Sequence, residues 1–218
     1  MSILPSRYLR SFDTFLYMIK AMDPPPTYPI HLGVEPPGNK QYIFFNTEQL
    51  TRPLVLKKIV ISIKHTNPVE VWDYSAINVQ ILKEQGIEAK HVPLVSPKGY
   101  IERLQLWRDK IEFDVGFCGT MNKRRKTIFD KIKEGGRTVQ IIPFYGDERD
   151  KRLAKCRILI NIHYDETYSV FESARCEPWL QLGVTVISET SLDNDDRCIN
   201  VPYDSLAKTA LEHLETNN

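Results

Sequence analysis

The 218-residue chain carries almost no excess charge: 29 Lys and Arg stand against 28 Asp and Glu, a net +1 at pH 7, with an isoelectric point near 7.7. A basic nucleic-acid binder has a domain pI above ~9, so no nucleic-acid partner is expected. Long apolar runs are missing too. Stretches such as 158–162 and 184–187 fall far short of the ~20 residues that cross a bilayer, so no transmembrane segment is expected. The opening MSILPSRYLRSFDTF lacks the apolar core and small-residue cleavage site of a secretory leader, and the expected location is cytoplasmic. The four cysteines, Cys118, Cys156, Cys176 and Cys198, include no C-x-x-C pair and have no His at metal-ligand spacing. They read as reduced, buried thiols, and no bound metal is expected. Neither G-x-x-x-x-G-K-[ST] nor G-x-G-x-x-G occurs, which disfavours a P-loop NTPase and a dinucleotide-binding dehydrogenase.

What is present is alternation. After residue 110 a short apolar run at 114–118 (DVGFC) ends at Gly119, and 123–134 places Ile128, Phe129 and Ile132 at helical spacing before Gly135 and Gly136. Strands at 138–143, 157–163 and 184–188 follow, separated by helices at 147–155 and 171–182. Strand and helix in turn, with short connections, predict a parallel sheet covered on both faces. In the first half an amphipathic helix over 8–21 meets the proline-rich 22–29, which ends it. Candidate strands follow at 42–46, 59–63 and 69–73, then a helix over 75–85, a strand at 90–95 and a helix over 100–110; 59–63 reads equally as part of a helix continuing from Pro53. The expected fold is α/β, two small Rossmann-like modules in series, 1–108 and 109–218, the second closed by a C-terminal helix.

In an open parallel sheet, ligands bind beyond the carboxyl ends of the strands, where helix N-termini offer unpaired N–H groups. The loop CGTMNKRRK places Gly119 at a strand end, Asn122 as N-cap, and Lys123, Arg124, Arg125 and Lys126 in the first helical turn. Cations there oppose the helix macrodipole, which points either to a bound anion or to a solvated basic face. In FESARCEPWLQLG, Glu172, Arg175 and Trp179 share one helix face. For a helix beginning near Ser169, Glu172 could accept the hydroxyls of a ribose while the N–H groups of Ser169, Val170 and Phe171 face a diphosphate. The alternative is a self-contained Glu172/Arg175 pair. Glu177 lies off this face and reads as solvent-exposed, as does the acidic turn 193–196.

The runs DVGFCGTMNKRRKTIFDKI, FYGDERDKRLAKCRILINIHYDE and FESARCEPWLQLGVTVISE resemble the nucleotide-sugar-binding half of GT-B-type glycosyltransferases. They are most similar to a bacterial and large-virus group with a G-[ST]-x-N-x-R-R loop, a Y-G-x-x-R-D turn, an L-N-I-H strand, and F-E-x-x-R ahead of V-x-S-E. The likeness covers about 112–192 and extends more weakly upstream to IFFNTEQL and VWDYSAIN. The chain is shorter than an ordinary enzyme of this type and lacks a glycine-rich first loop, so the acceptor-side module is reduced or the chain is part of a longer one. The resemblance implies that Gly119 and Thr120 approach the diphosphate or sugar and that Arg124 or Arg125 neutralises phosphate. It also implies that Glu172 holds the ribose, that Arg175 contacts phosphate or orients Glu172, and that Tyr145 and Gly146 lie near the base. His163 would end its strand close to the donor, or serve as a hydrogen-bonded strand residue.

Transfer with inversion needs a general base for the acceptor hydroxyl. His31, Glu35, Glu48, His65 and Asp73 are candidates; Glu48 and Asp73 follow strands and could project into an interdomain cleft. Glu48 is preferred. Structural alternatives are that Glu48 caps its own loop and Asp73 caps the helix at Ser75. The implied activity is metal-independent transfer of a sugar from a nucleotide-diphosphate donor, a UDP-sugar favoured, to a hydroxyl of a glycan or glycoconjugate, with no other cofactor. The competing expectation is a non-catalytic nucleotide-sugar- or glycan-binding module of a larger glycan-building protein, with neighbouring domains. A receiver-like signalling domain would need an acidic cluster at its first strand end and a phosphorylatable Asp after its third, and neither is visible.

Overall fold

Apolar runs buried on both faces form parallel strands, and parallel strands need long crossovers, which the intervening helices supply. The computed structural model describes residues 3–4, 13–32 and 41–216. It divides into one unit of Met1–Val95 with Thr167–Val170 and a second of Ser96–Glu166 with Phe171–Asn218. Each is a Rossmann-like α/β module with its own parallel sheet.

In the first unit, strands β1 (Ile3–Leu4), β2 (Ile30–Leu32), β3 (Ile43–Asn46), β4 (Glu70–Asp73) and β5 (Lys90–His91) lie side by side in that order, all parallel. Helices α1 (Asp13–Lys20), α2 (Pro53–Thr66) and α3 (Ala76–Glu84) connect them. Phe44 and Val71 pack with Ile59 and Ile63 of α2 and Leu82 of α3. Phe45 instead meets Phe15 of α1 edge-on at 5.4 Å. The segment 59–63 is helix, not strand. A strand would put Ile59, Ile61 and Ile63 on one face; Ile59 and Ile63, four apart, are buried while Ile61 is 57% exposed, the helical period. Pro53 suits the first helical turn, and Asn67 at φ 46° ends the helix in the left-handed conformation. The strand expected at 90–95 is only Lys90–His91, because Pro93 cannot donate to a ladder. Residues 8–12 of the expected opening helix, and the candidate Glu35, lie outside the described residues; β2 was not anticipated.

The second unit holds α4 (Lys98–Trp107), β6 (Phe113–Cys118), α5 (Lys123–Glu134), β7 (Val139–Ile142), α6 (Gly146–Leu153), β8 (Cys156–Asn161), α7 (Ser173–Gln181), β9 (Val186–Glu189), β10 (Ile199–Val201) and α8 (Leu206–Thr216). The division falls earlier than residue 108. α4 groups with the second unit, where the Tyr100 hydroxyl donates to Asp150 of α6 at 2.7 Å and Arg108 donates to the Cys156 carbonyl at 2.6 Å. All five strands are parallel, in the order β10-β9-β8-β6-β7. Chain direction across the sheet therefore reverses between β6 and β8, the switch point where doubly wound sheets open a crevice. Val115, Phe117, Ile158, Ile160 and Ile187 pack under α5 and α8. The four thiols form no disulfide, and burial pushes those of Cys156 and Cys198 up to about 12. Among the described residues no helix is long and apolar enough to cross a membrane.

The face of β6 opposite α5 has no room for a side chain at Gly116. A Cβ there would lie 2.7 Å from Cys156 Sγ, 2.8 Å from Cys156 Cβ and 2.7 Å from Leu159 Cδ2. Gly116→Ala is expected to destabilise by ~1–3 kcal/mol through overpacking, lowering the thermal unfolding midpoint by several degrees in calorimetry. An unchanged midpoint would show that β6 and β8 are less closely packed than this.

Candidate functional site

The loop after β6 turns at Gly119, whose φ of +147° is one that L side chains rarely adopt. A Cβ there would sit 3.3 Å from both Arg125 Nη1 and Arg175 Nη2, so glycine lets two guanidiniums close against the backbone. Asn122 caps α5 as expected, accepting from the Arg125 N–H at 2.9 Å, and its amide donates to the Tyr164 carbonyl at 2.6 Å. That cap fixes the direction of the two arginines that follow. Arg125 turns inward and donates to the carbonyls of Ile162, at 3.1 and 2.6 Å, and Thr120, at 2.7 Å. Arg124 pairs with both oxygens of Glu189 and stacks over the Tyr203 ring at 3.8 Å.

Beside Arg125 lies Glu172, its side chain 12% exposed. Its Oε2 is 3.0 Å from Arg175 Nη1 and 3.5 Å from His163 Nδ1, and its Oε1 is 3.6 Å from Arg125 Nη2. Burial works to raise the Glu172 pKa, but Arg175 first, then His163 and Arg125, hold it below the ordinary carboxylate value. The two arginines differ. Burial opposes the charge of Arg175, yet Glu172 outweighs it and keeps that pKa above the usual value. Burial, reinforced by neighbouring Arg175, drops Arg125 to about 10. The one carboxylate favours the charged form of both guanidiniums, and only at Arg175 does it outweigh burial. Arg175 bonds Asn161 Oδ1 at 2.6 Å through Nη1, the same nitrogen that pairs with Glu172. Its Nη2 is the nitrogen that lies beside Gly119.

Glu172 is neither an open ribose acceptor nor a surface pair with Arg175, for it sits within a buried cluster. α7 begins at Ser173, so Glu172 is the residue before its first turn. The half-buried Ser169 belongs with Val170 to the loop ahead of it. The Val170 N–H donates to Gln49 Oε1 at 3.1 Å and the Phe171 N–H to Asp193 Oδ1 at 2.7 Å, so these two amides are taken rather than facing an anion. Thr120 is exposed, with its carbonyl occupied by Arg125. Tyr145, 55% exposed, and Gly146, at φ +60°, stand at the carboxyl end of β7, next to β6. His163 is buried, with Nε2 3.2 Å from Ser191 Oγ and its N–H donating to Glu189.

The two candidate bases differ in setting. Asp73 is fully buried and accepts from Asn46 Nδ2 at 2.6 Å, the Ser75 N–H at 2.8 Å and Asn78 Nδ2 at 3.0 Å. Asp73 thus holds the turn ahead of α3, but the cap of that helix is Ser75, whose side chain accepts from the Asn78 N–H, and not Asp73 as the structural alternative had it. Glu48 is half-buried, and the groups held there are its backbone N–H and carbonyl, by Asn46 and Asn78. Glu189, Asn161 and Ser191 were not singled out in the sequence, and Asp193 was read only as part of a solvated turn. Glu189 ends the VISE strand at the edge where ligands bind, the signal that could have found it. Glu177 is buried and pairs with Arg197 at 2.5 Å, not exposed to solvent. The acidic turn is likewise engaged, through Asp193 and an Asp195–Arg197 pair. Among the described residues no group of three His, Cys, Asp or Glu is placed to hold a metal ion.

Known proteins similar to this chain come from Acanthamoeba polyphaga mimivirus. Uncharacterized protein L140 is 33% identical over 187 residues, covering 81% of this chain and 60% of L140. Uncharacterized protein L138 is 33% identical over 193 residues, 83% of this chain and 21% of its own length. Uncharacterized protein L137 is 31% identical over 156 residues, 70% and 21%. The chain thus spans 60% of L140 and about a fifth of L138 and L137. No family model and no solved structure matches.

Two stability measurements check the assignments. Asp73→Ala strands buried donors at roughly 1–3 kcal/mol each, whereas Glu48→Gln should stay within ~0.5 kcal/mol of the parent in urea unfolding; equal losses would overturn the distinction. Because the folded pKa of Glu172 is depressed, its contribution is present above its ordinary value of 4.5 and is lost as pH falls through the lower folded value. Glu172→Gln should therefore cost about 3–5 kcal/mol at neutral pH and show a shallower loss of stability on acidification. Parallel acid profiles for parent and variant would contradict the ion-paired state.

Proposed function

We propose that the chain is the donor-binding and transfer core of a glycosyltransferase of GT-B type, acting in the cytoplasm. It would move a sugar from a nucleotide diphosphate, a UDP-sugar favoured, to a hydroxyl of a glycan or glycoconjugate. One observation carries this reading: two guanidiniums share one carboxylate beneath Gly119 at the switch point of a parallel sheet, and the pKa of Arg125 is lowered to about 10. A diphosphate placed there would supply the missing negative charge. Arg175 Nη2 would donate to it, and Tyr145 at the neighbouring strand end would border the base.

The chemistry asks little more of the site. The acceptor oxygen bonds to the anomeric carbon as the bond from that carbon to the diphosphate breaks, and the electron pair leaves with the phosphate. Preorganised cations stabilise this developing charge at no cost in reorganisation, which is the role of Arg175 backed by Arg125. The proton of the acceptor hydroxyl goes to a base, and Glu48 is the preferred group because both oxygens of Asp73 are already hydrogen-bonded. A second reading, a nucleotide-sugar- or glycan-binding module without catalysis, is favoured by one fact: the chain spans only 21% of two of its relatives.

Thermal-shift titration with UDP-, GDP- and dTDP-sugars tests the site, since a ligand at a hundred times its Kd stabilises by ~2.7 kcal/mol. Arg175→Lys keeps a cation beside Glu172 but loses the planar fork and should weaken binding about tenfold, the equivalent of one charge-assisted hydrogen bond. No shift with any donor or with inorganic diphosphate would sink the proposal. Binding without slow donor hydrolysis would select the second reading.

A further inference from the structure

Helix α2, PLVLKKIVISIKHT, contains three lysines, one histidine and no acidic residue. Its buried side is Ile59 and Ile63. On the opposite side Leu54 is 78% and Ile61 57% exposed. Leu54, Lys58, Ile61 and His65 fall four, three and four apart, forming one stripe along the helix, and Lys57 and Lys64 flank it, all exposed. Leu54 and Ile61 stand two turns apart, roughly 10 Å. Past the helix end, Val69 is 38% exposed. The first acid beyond the helix, Glu70, accepts from Trp72 Nε1 at 2.6 Å.

A solvated helix face ordinarily intersperses acids among its lysines, which neutralises the field and adds side-chain pairs. On α2 itself the charged residues that border the apolar ridge are all cationic. A partner that satisfies both must be negatively charged at its surface and apolar just beneath. An anionic bilayer has that layering: lysine heads reach lipid phosphates while isolated Leu and Ile side chains enter the boundary between headgroups and acyl chains. We propose that this face of α2 docks the chain reversibly on anionic lipid surfaces. The proposal is independent of the catalytic reading, because it uses no residue of the switch-point site.

The test is co-sedimentation of the full chain with phosphatidylcholine vesicles, with and without phosphatidylserine. The expected result is partitioning only onto the serine-containing vesicles, weakening as salt rises. Lys57→Glu/Lys58→Glu should reduce partitioning at least tenfold, each basic residue near such a surface being worth about fivefold. Ile61→Ser should reduce it several-fold with the unfolding midpoint unchanged, because that side chain is already exposed. Three results would overturn the proposal: no serine-dependent partitioning, equal partitioning of the lysine variant, or a self-associated species that Ile61→Ser dissociates, which would make the face a contact between copies.

Discussion

The second unit depends on one buried carboxylate. A guanidinium taken out of water carries a penalty of several kcal/mol unless it is paired and hydrogen-bonded, and this unit buries Arg125 almost completely and Arg175 largely. Glu172 lies between them. Through Arg125 it supports the bonds that tie the loop after β6, at the Thr120 carbonyl, to the end of β8, at the Ile162 carbonyl. Through Arg175 it supports the bond to Asn161, whose amide continues to Ser188 on β9. The carboxyl ends of three neighbouring strands are thus held by a chain of contacts that begins at one side chain, and Gly119 is the backbone concession that lets the two cations approach.

The two units place an acid at the carboxyl edge of their sheets and treat it in opposite ways. Asp73, on β4, accepts from two neutral amides and a backbone N–H, and Asn78 in turn accepts from the Leu50 N–H at 3.0 Å. A satisfied network of this kind rigidifies. Glu172 instead faces charged groups, the guanidiniums of Arg175 and Arg125, with the His163 ring beside them. Function is more economically sought where the local electrostatics do not close than where they do.

The sequence resolved the second unit better than the first for a physical reason. There, β6, β8 and β9 are short apolar runs separated by glycines and charged helices, so period and punctuation agree. In α2, Ile59, Ile61 and Ile63 alternate as a strand would, and only the burial of the outer two with Ile61 exposed shows the helical period. At the site, spacing made Glu172 and Arg175 neighbours, a local fact. That Arg125 and His163 join them depends on strands β6 and β8 lying side by side, and strand order cannot be read from periodicity. Glu189 was missed, and Asp193 read as solvated, for the same reason: each acts on a residue distant in the chain, His163 and Phe171 respectively.

The basic cluster at the start of α5 shows how local charge can mislead and still point the right way. Four consecutive cations at a helix N-terminus suggest an anion held by that terminus. Consecutive residues on a helix point about 100° apart, so the cap at Asn122 sends Arg125 inward to backbone carbonyls and Arg124 toward Glu189 and Tyr203. Lys123 and Lys126 remain exposed, Lys126 paired with Asp130. The cations of α5 are therefore largely spent on the fold, and what they leave behind is a field. Arg175, on α7, is placed differently: its Nη1 pairs with Glu172 and donates to Asn161, while Nη2 lies beside Gly119. On the proposed reading Arg175 donates to the anion at this switch point, while Arg125, committed to the carbonyls of Thr120 and Ile162, contributes through its charge alone.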